Sequence, residues 1–274
     1  MDDLKDNKDL GALKAELLDL ALEAASRAGA LLRDGRPDDL GVAATKSSSV
    51  DVVTEMDLAA EKLITELITS RRPEDGLLGE EGASRAGSTG VRWVIDPLDG
   101  TVNYLYGLPA WSVSIAAELD GQTLVGVVEV PPRGETVQAV LGSGAFLNGR
   151  QLHCGEAPEM GQALVGTGFG YLRERRVRQA EVVRELVPRL RDIRRAGSAA
   201  IDLCDVAAGR LDGYFERGLN PWDHAAGVLI ATEAGALTGG RPGDPASTEL
   251  TVAAPSGLFE PLQALLEELG AWHD

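Results

Sequence analysis

The chain has 274 residues, 44% hydrophobic and 25% charged, with a formal net charge of −17 and a sequence pI near 4.6. That length can bury a large core, and that acidity argues against sequence-independent binding to nucleic acid or to an anionic membrane surface. The two scattered cysteines, Cys154 and Cys204, make neither a disulfide framework nor a zinc pattern. The sequence opens without a basic stretch leading into an apolar one, and no apolar run approaches the ~18 residues of a membrane span. The expected setting is therefore cytoplasmic, with neither membrane nor nucleic acid as partner.

Residues 1–9 are charged and are expected to fray. From Leu10 to Leu32 apolar residues recur at helical spacing (Leu13, Leu17, Leu20, Ala24, Ala28, Leu31), and Asp34-Gly35-Arg36-Pro37 ends that helix. A second helix is expected from Met56 to Ser70, opened by Thr54 and Asp57 in a capping-box pattern. A glycine-rich loop then leads to a buried strand, Trp93-Val94-Ile95. Further strands are expected at Ser112–Glu118, Thr123–Val130 and Thr136–Leu141. Asn148-Gly149 reads as a tight turn between Ala145-Phe146-Leu147 and Arg150-Gln151-Leu152.

Beyond about residue 160 the pattern alternates. Strands are expected at Ala163–Thr167, Asp192–Arg195, Gly213–Glu216 and Leu250–Ala254. Helices are expected at Arg173–Leu190 (its end frayed by Pro188), Ser198–Ala208, Trp222–Glu233 and Leu258–Leu269. The whole predicts one unit over residues 1–274 with two β-sheets: an α+β half over about 10–155 and an α/β half over about 156–270.

Chemistry concentrates where regular elements end. Asp96-Pro97-Leu98-Asp99-Gly100-Thr101 follows the Trp93–Ile95 strand, so two carboxylates leave that strand together, followed by a Gly and a Thr. Such a segment can hold divalent cations beside backbone N–H groups that receive a phosphate. Three other acidic clusters stand out: Lys46-Ser47-Ser48-Ser49-Val50-Asp51-Val52-Val53-Thr54, Gly79-Glu80-Glu81-Gly82, and Trp222-Asp223-His224. Taken singly, Glu80-Glu81 reads as a solvated turn, Asp223 as a residue answering a helix macrodipole, and Asp51 as an outward position on a strand. Lys46 reads either as a partner of a site carboxylate or as a surface lysine. The histidines His153, His224 and His273 form no metal-ligand pattern. Taken together, the clusters point to a metal-dependent phosphatase.

The set resembles the inositol monophosphatase family of lithium-sensitive, magnesium-dependent phosphatases, over about residues 12–268. The resemblance is carried by Asp51-Val52-Val53-Thr54-Glu55-Met56-Asp57, Gly79-Glu80-Glu81, Trp93–Tyr104 with its DPLDGT core, Gly144–Gly149, Arg195–Ala200 and Pro221-Trp222-Asp223. It implies the inositol monophosphatase/fructose-1,6-bisphosphatase-like fold, a layered αβαβα sandwich with two β-sheets. It implies hydrolysis of inositol monophosphate and related polyol phosphates, or of another small ester such as histidinol phosphate, fructose-1,6-bisphosphate or 3′-phosphoadenosine 5′-phosphate.

The implied cofactor is Mg²⁺, as two or three ions, with Mn²⁺ as a substitute and Li⁺ as an inhibitor. The implied ligands are Glu80, Asp96, the Leu98 carbonyl, Asp99 and Asp223, with Asp96 bridging ions about 3.5–4 Å apart. Thr101 and Asp51 are implied as a hydroxyl–carboxylate pair, Asp51 accepting the Thr101 proton while Thr101 and Glu80 handle the attacking water. Gly100 and Thr101 N–H groups are implied to bind phosphate. Gly197, Ser198, Ala199, Glu216 and Asp223 are implied to approach the polyol. The loop Arg217–Pro221 departs from the family's common pattern, and Arg217 either favours a second anionic group or faces solvent. A homodimer is implied. A non-catalytic interaction protein on this fold would be expected to have lost at least one carboxylate, and none is missing.

Overall fold

Residues 2–48 and 51–272 are described here from a computed structural model. Ser49, Val50 and His273 lie outside them. Helix α1 (Asp2–Asp34) starts earlier than its apolar stripe. Nothing before Gly11 breaks a helix, so the stretch expected to fray extends it instead. A two-residue hairpin follows, β1 (Ala44–Thr45) with β2 (Val52–Val53). The capping box forms as expected at the start of α2 (Glu55–Arg71).

The stretch expected to be only loop holds two short strands, β3 (Gly76–Gly79) and β4 (Ser84–Arg85). Four residues bounded by glycines carry too little period to announce a strand. Then come β5 (Val91–Asp99), α3 (Thr101–Leu105), β6 (Ser112–Leu119), β7 (Gln122–Val130), β8 (Glu135–Val140), β9 (Ala145–Leu147) and β10 (Arg150–Gln151). These build an eight-stranded sheet in the order β10-β9-β8-β7-β6-β5-β3-β4, antiparallel except for β3 beside β5.

A second, five-stranded sheet follows in the order β12-β11-β13-β15-β14. Its elements are β11 (Leu164–Thr167), α4 (Arg173–Leu186), β12 (Asp192–Arg194), α5 (Ala199–Ala207), β13 (Gly213–Glu216), α6 (Pro221–Glu233), β14 (Leu237–Gly239), β15 (Thr251–Ala254) and α7 (Ser256–Glu268). Around Pro188 the α4 helix gives way to a 3₁₀ turn, Val187–Arg189, as the missing amide hydrogen requires. The three-residue β14 is a further strand that the pattern did not announce.

Alternation along β5 sets the layers. Trp93 and Ile95 face α1 and α2, packing with Leu17, Leu20, Ile64 and Ile68. Val94 faces the other way, into a core shared with Ile201 and Cys204 of α5 and with Ala226 and Ile230 of α6. Leu203 and Ala231, on the same two helices, pack on Tyr214 and Ala253 of the second sheet. The far side of that sheet, with Phe215 and Val252, is covered by α4 and α7 through Leu186 and Leu262. The result is the expected αβαβα sandwich. Each fully buried Leu, Ile or Phe contributes roughly 1.5–3 kcal/mol of transfer free energy to it. Among the described residues no helix is long and apolar enough to cross a membrane.

By the same period of two, Asp96 leaves β5 on the Val94 side, towards the N-termini of α5 and α6. The register of β5 against β6 slips between Asp96 and Asp99. That irregularity turns the chain out of the sheet and lets both carboxylates leave it at one end.

Candidate active site

A cavity of about 490 Å³ opens where the sheet ends and helix N-termini meet, and Glu80, Asp96, Leu98, Asp99, Gly100, Thr101 and Asp223 all line it. Each carboxylate is held by one oxygen. Asp96 Oδ1 accepts from the Leu98 N–H at 3.0 Å. Asp99 Oδ2 accepts from the Ser198 hydroxyl at 2.6 Å and the Ala200 N–H at 2.9 Å. Asp223 Oδ2 accepts from the Asn220 N–H at 2.7 Å, closing the capping box of α6.

Burial pushes the Asp96 and Asp223 carboxyls well above the usual range, and repulsion from Glu80 and Asp99 adds to it. Burial raises Asp99 to about 6, against the hydrogen bonds from Ser198 and Ala200. Lys46 answers part of this charge: its ammonium lies 2.7 Å from Glu80 and 2.8 Å from Glu81. Burial lowers the Lys46 pKa, but the two glutamates outweigh that and raise it. Of the two readings of Lys46, the partner of a site carboxylate holds.

The donors are all oxygens, four carboxylates and the Leu98 carbonyl, which suits a hard divalent cation such as Mg²⁺. Among the described residues no three His, Cys, Asp or Glu groups are already drawn together as a ready metal cluster. Like charges buried together resist ionisation until a cation offsets them. The excess of buried negative charge and the donor chemistry fit such an ion.

Thr101 is placed differently from the expectation. Its hydroxyl donates to Asp57 Oδ1 at 2.9 Å, with the Leu98 carbonyl also within reach at 3.0 Å. Asp51, the expected partner, instead accepts from the Ser47 N–H at 3.0 Å and the Ser47 hydroxyl at 2.5 Å. The reason is the capping box. Thr54 occupies only Asp57 Oδ2, from its N–H at 2.8 Å and its hydroxyl at 2.5 Å, so Oδ1 is left to face α3. Asp57 is fully buried, and burial raises its carboxyl despite the bonds from Thr54 and Thr101. The clue in the sequence was Asp57 itself, the last residue of the matched Asp51–Asp57 segment.

Gly197 and Ala199 line the cavity, but Ser198 does not. Its side chain is buried, caps α5 by accepting from the Ile201 N–H at 3.2 Å, and donates to Asp99. Its expected approach to substrate is corrected to holding a carboxylate. Glu216 lines the cavity and accepts from the Tyr214 hydroxyl at 2.7 Å. Burial raises Glu216 to about 7. Gly168 makes room for it, since a Cβ there would stand 1.8 Å from Glu216 Oε2. Gly100 caps α3 at φ +92°, a conformation open to glycine.

Nothing in the sequence marks Glu61 as part of the site. Its buried carboxylate accepts from the Glu81 N–H at 2.9 Å and the Ala83 N–H at 3.0 Å, fixing the loop that presents Glu80. Its place mid-helix in α2 gave no hint of that reach. Burial lowers the His224 imidazole to about 4, so it is neutral packing beside Asp223. Arg217 does not line the cavity, although its carbonyl accepts from the Gln179 side chain at 3.2 Å.

Asp202, one turn into α5, yields a test of the buried charge. Burial raises it to about 8, with repulsion from Asp205 and Glu216 adding to this. A carboxyl raised in the fold binds its proton more tightly there than in the unfolded chain. It therefore costs stability progressively as pH climbs from its ordinary value of 3.8 towards about 8. Asp202→Asn should be more stable than wild type at pH 8, with the gap shrinking towards pH 4 in urea unfolding. A gap that does not vary with pH would contradict this.

The model of the inositol monophosphatase family matches residues 13–271. Inositol-1-monophosphatase SuhB of Mycobacterium tuberculosis is 43% identical over 274 residues, covering 92% of this chain and 94% of that protein. Nus factor SuhB of Escherichia coli is 41% identical over 231 residues, covering 82% and 86%. Among solved structures, the extragenic suppressor protein suhB of Bartonella henselae superposes with a TM-score of 0.86 at 34% identity, covering 92% of this chain and 99% of that one. The Thermotoga maritima IMPase TM1415 gives 0.83 at 32% identity, covering 93% and 98%.

Proposed function

The chain belongs to the inositol monophosphatase family, and on that premise we propose that it is a magnesium-dependent phosphomonoesterase acting on inositol monophosphate and related polyol phosphates. The observation that carries this reading is the Thr101 hydroxyl, set among Asp96, Leu98 and Asp99 and bonded to the buried Asp57. A loop, a strand end and a helix N-terminus would not converge on one hydroxyl for stability alone.

Glu80, Asp96, Asp99, Asp223 and the Leu98 carbonyl would hold the cation. When bound, Mg²⁺ supplies charge neutralisation on the phosphoryl group and makes water acidic enough to attack. Thr101 orients the nucleophilic water, and Asp57 Oδ1 receives the proton that Thr101 passes on. The raised pKa of Asp57 makes it a stronger base than an exposed aspartate. Gly100 and Thr101 N–H groups meet the phosphate oxygens. Glu216 and Asp223 accept from the polyol hydroxyls and set its orientation, which supplies much of the rate in phosphoryl transfer. Ser198 keeps Asp99 aimed, and Glu61 keeps Glu80 in reach.

Phosphate release in Mg²⁺ would be compared across inositol-1-phosphate, histidinol phosphate, fructose-1,6-bisphosphate and 3′-phosphoadenosine 5′-phosphate. The expected result is turnover of the polyol ester with the highest kcat/KM. No release from any of them at saturating Mg²⁺ would end the phosphatase reading. A preference for the nucleotide would end the polyol assignment alone.

A further inference from the structure

Asn103 is a buried polar side chain of α3 that the proposed chemistry leaves without a role. Its Nδ2 donates to the Ala110 carbonyl at 2.7 Å and to the Ala196 carbonyl at 2.9 Å, and the Gly197 carbonyl lies 3.5 Å away. The two short bonds use both hydrogens of the amide. One ties α3 to the chain entering β6. The other reaches 93 residues along the sequence, to the turn before α5.

These carbonyls close on the glycines of the site. A Cβ at Gly100 would stand 2.7 Å from the Ala110 carbonyl oxygen and 3.3 Å from that of Gly197. Gly197 turns the chain at φ +94°, and a Cβ there would stand 2.9 Å from Asn103 Nδ2. Directly after that turn Ser198 caps α5, and its hydroxyl donates to Asp99 Oδ2 at 2.6 Å. The Ala200 N–H donates to the same oxygen at 2.9 Å. The amide of Asn103 thus holds the segment that delivers both donors to Asp99. Asn103 itself does not line the cavity.

We propose that Asn103 is a positioning residue for the metal site: its amide seats the start of α5 against α3, and through Ser198 and Ala200 it sets the pose in which Asp99 meets the cation. This rests on the reading of Asp99 as a ligand of Mg²⁺ in the proposed phosphatase. Without the amide the Ala110 and Ala196 carbonyls lose their donor, and the Gly197 turn is free to shift.

The test is calorimetric titration with Mg²⁺ alone, on wild type, Asn103→Ala, Ser198→Ala and the double variant. Groups that orient metal ligands from behind are typically worth about 10–100-fold in metal affinity. Asn103→Ala should therefore raise the Mg²⁺ Kd about tenfold. Asn103→Ser, which keeps one donor, should fall between it and wild type. Both residues act on Asp99, so the loss in the double variant should fall short of the product of the two single losses. In turnover of inositol-1-phosphate, Asn103→Ala should need about tenfold more Mg²⁺ for half-maximal rate and regain most of its kcat at saturating Mg²⁺. Urea unfolding without metal records any loss of fold separately. A Kd unchanged by Asn103→Ala, losses that multiply in full, or a kcat that excess Mg²⁺ does not restore would overturn the positioning role. Mg²⁺ binding that depends on Asn103 in a protein that releases no phosphate would keep the role and retire the phosphatase. Turnover with a Kd indifferent to Asn103 would do the reverse, and a wild type that binds no Mg²⁺ would overturn both.

Discussion

Asp57→Asn is expected to lower kcat by about 10²–10⁴-fold, the usual worth of a positioned general base. Asp51→Asn should lower it by less than about tenfold. The difference follows from one hydrogen bond. The Thr101 hydroxyl reaches Asp57 Oδ1 at 2.9 Å, while Asp51 is engaged with Ser47. Asp57 also belongs to the capping box of α2, so the Asn variant should lose about 1 kcal/mol of stability. Urea unfolding measures that loss and separates it from the far larger loss of turnover. Thr101→Ser keeps a hydroxyl and should keep most of the activity, whereas Thr101→Ala should behave as Asp57→Asn does. Equal losses for Asp51→Asn and Asp57→Asn would refute the assignment of the base.

Asp96→Asn should abolish turnover without weakening the metal-free fold. Asp96 is 1% exposed, and burial together with Glu80, Asp99 and Asp223 opposes its ionisation. A neutral amide removes that repulsion while keeping the side chain's shape. The same change removes the ligand at the centre of the carboxylate cluster. At about 100 times its Kd, Mg²⁺ should stabilise the wild type by ~2.7 kcal/mol, and Asp96→Asn should gain nothing comparable. Thermal unfolding with and without Mg²⁺ checks both halves. A variant that is stabilised by Mg²⁺ as strongly as wild type would remove Asp96 from the ligand set.

Much of this was legible in the sequence because it sits on regular elements. The Trp93–Ile95 run predicts a buried strand, and β5 carries it, with Asp96 directly after the run and Asp99 at its end. Thr54 and Asp57 predict a helix start, and α2 begins there. β3 escaped notice because a Gly-bounded Leu-Leu pair has no period, yet it is the strand that delivers Glu80. The pairing of Thr101 was misread for a different reason. A capping box looks complete with one carboxylate oxygen, and only the fold shows where the second oxygen points. The resemblance assigns Ser198 to the substrate because Gly197-Ser198-Ala199 matches the family's polyol-approaching segment, but a hydroxyl at a helix N-cap is already committed to backbone and, here, to Asp99. Glu61 acts on a loop some 20 residues away in sequence, and no local pattern encodes that reach.

The central claim is that this carboxylate cluster hydrolyses a phosphate ester only with a divalent cation. Phosphate release from inositol-1-phosphate would be followed after EDTA treatment and again as Mg²⁺ is titrated back. The account predicts no turnover in EDTA and its full return with Mg²⁺. Turnover undiminished in EDTA would contradict it.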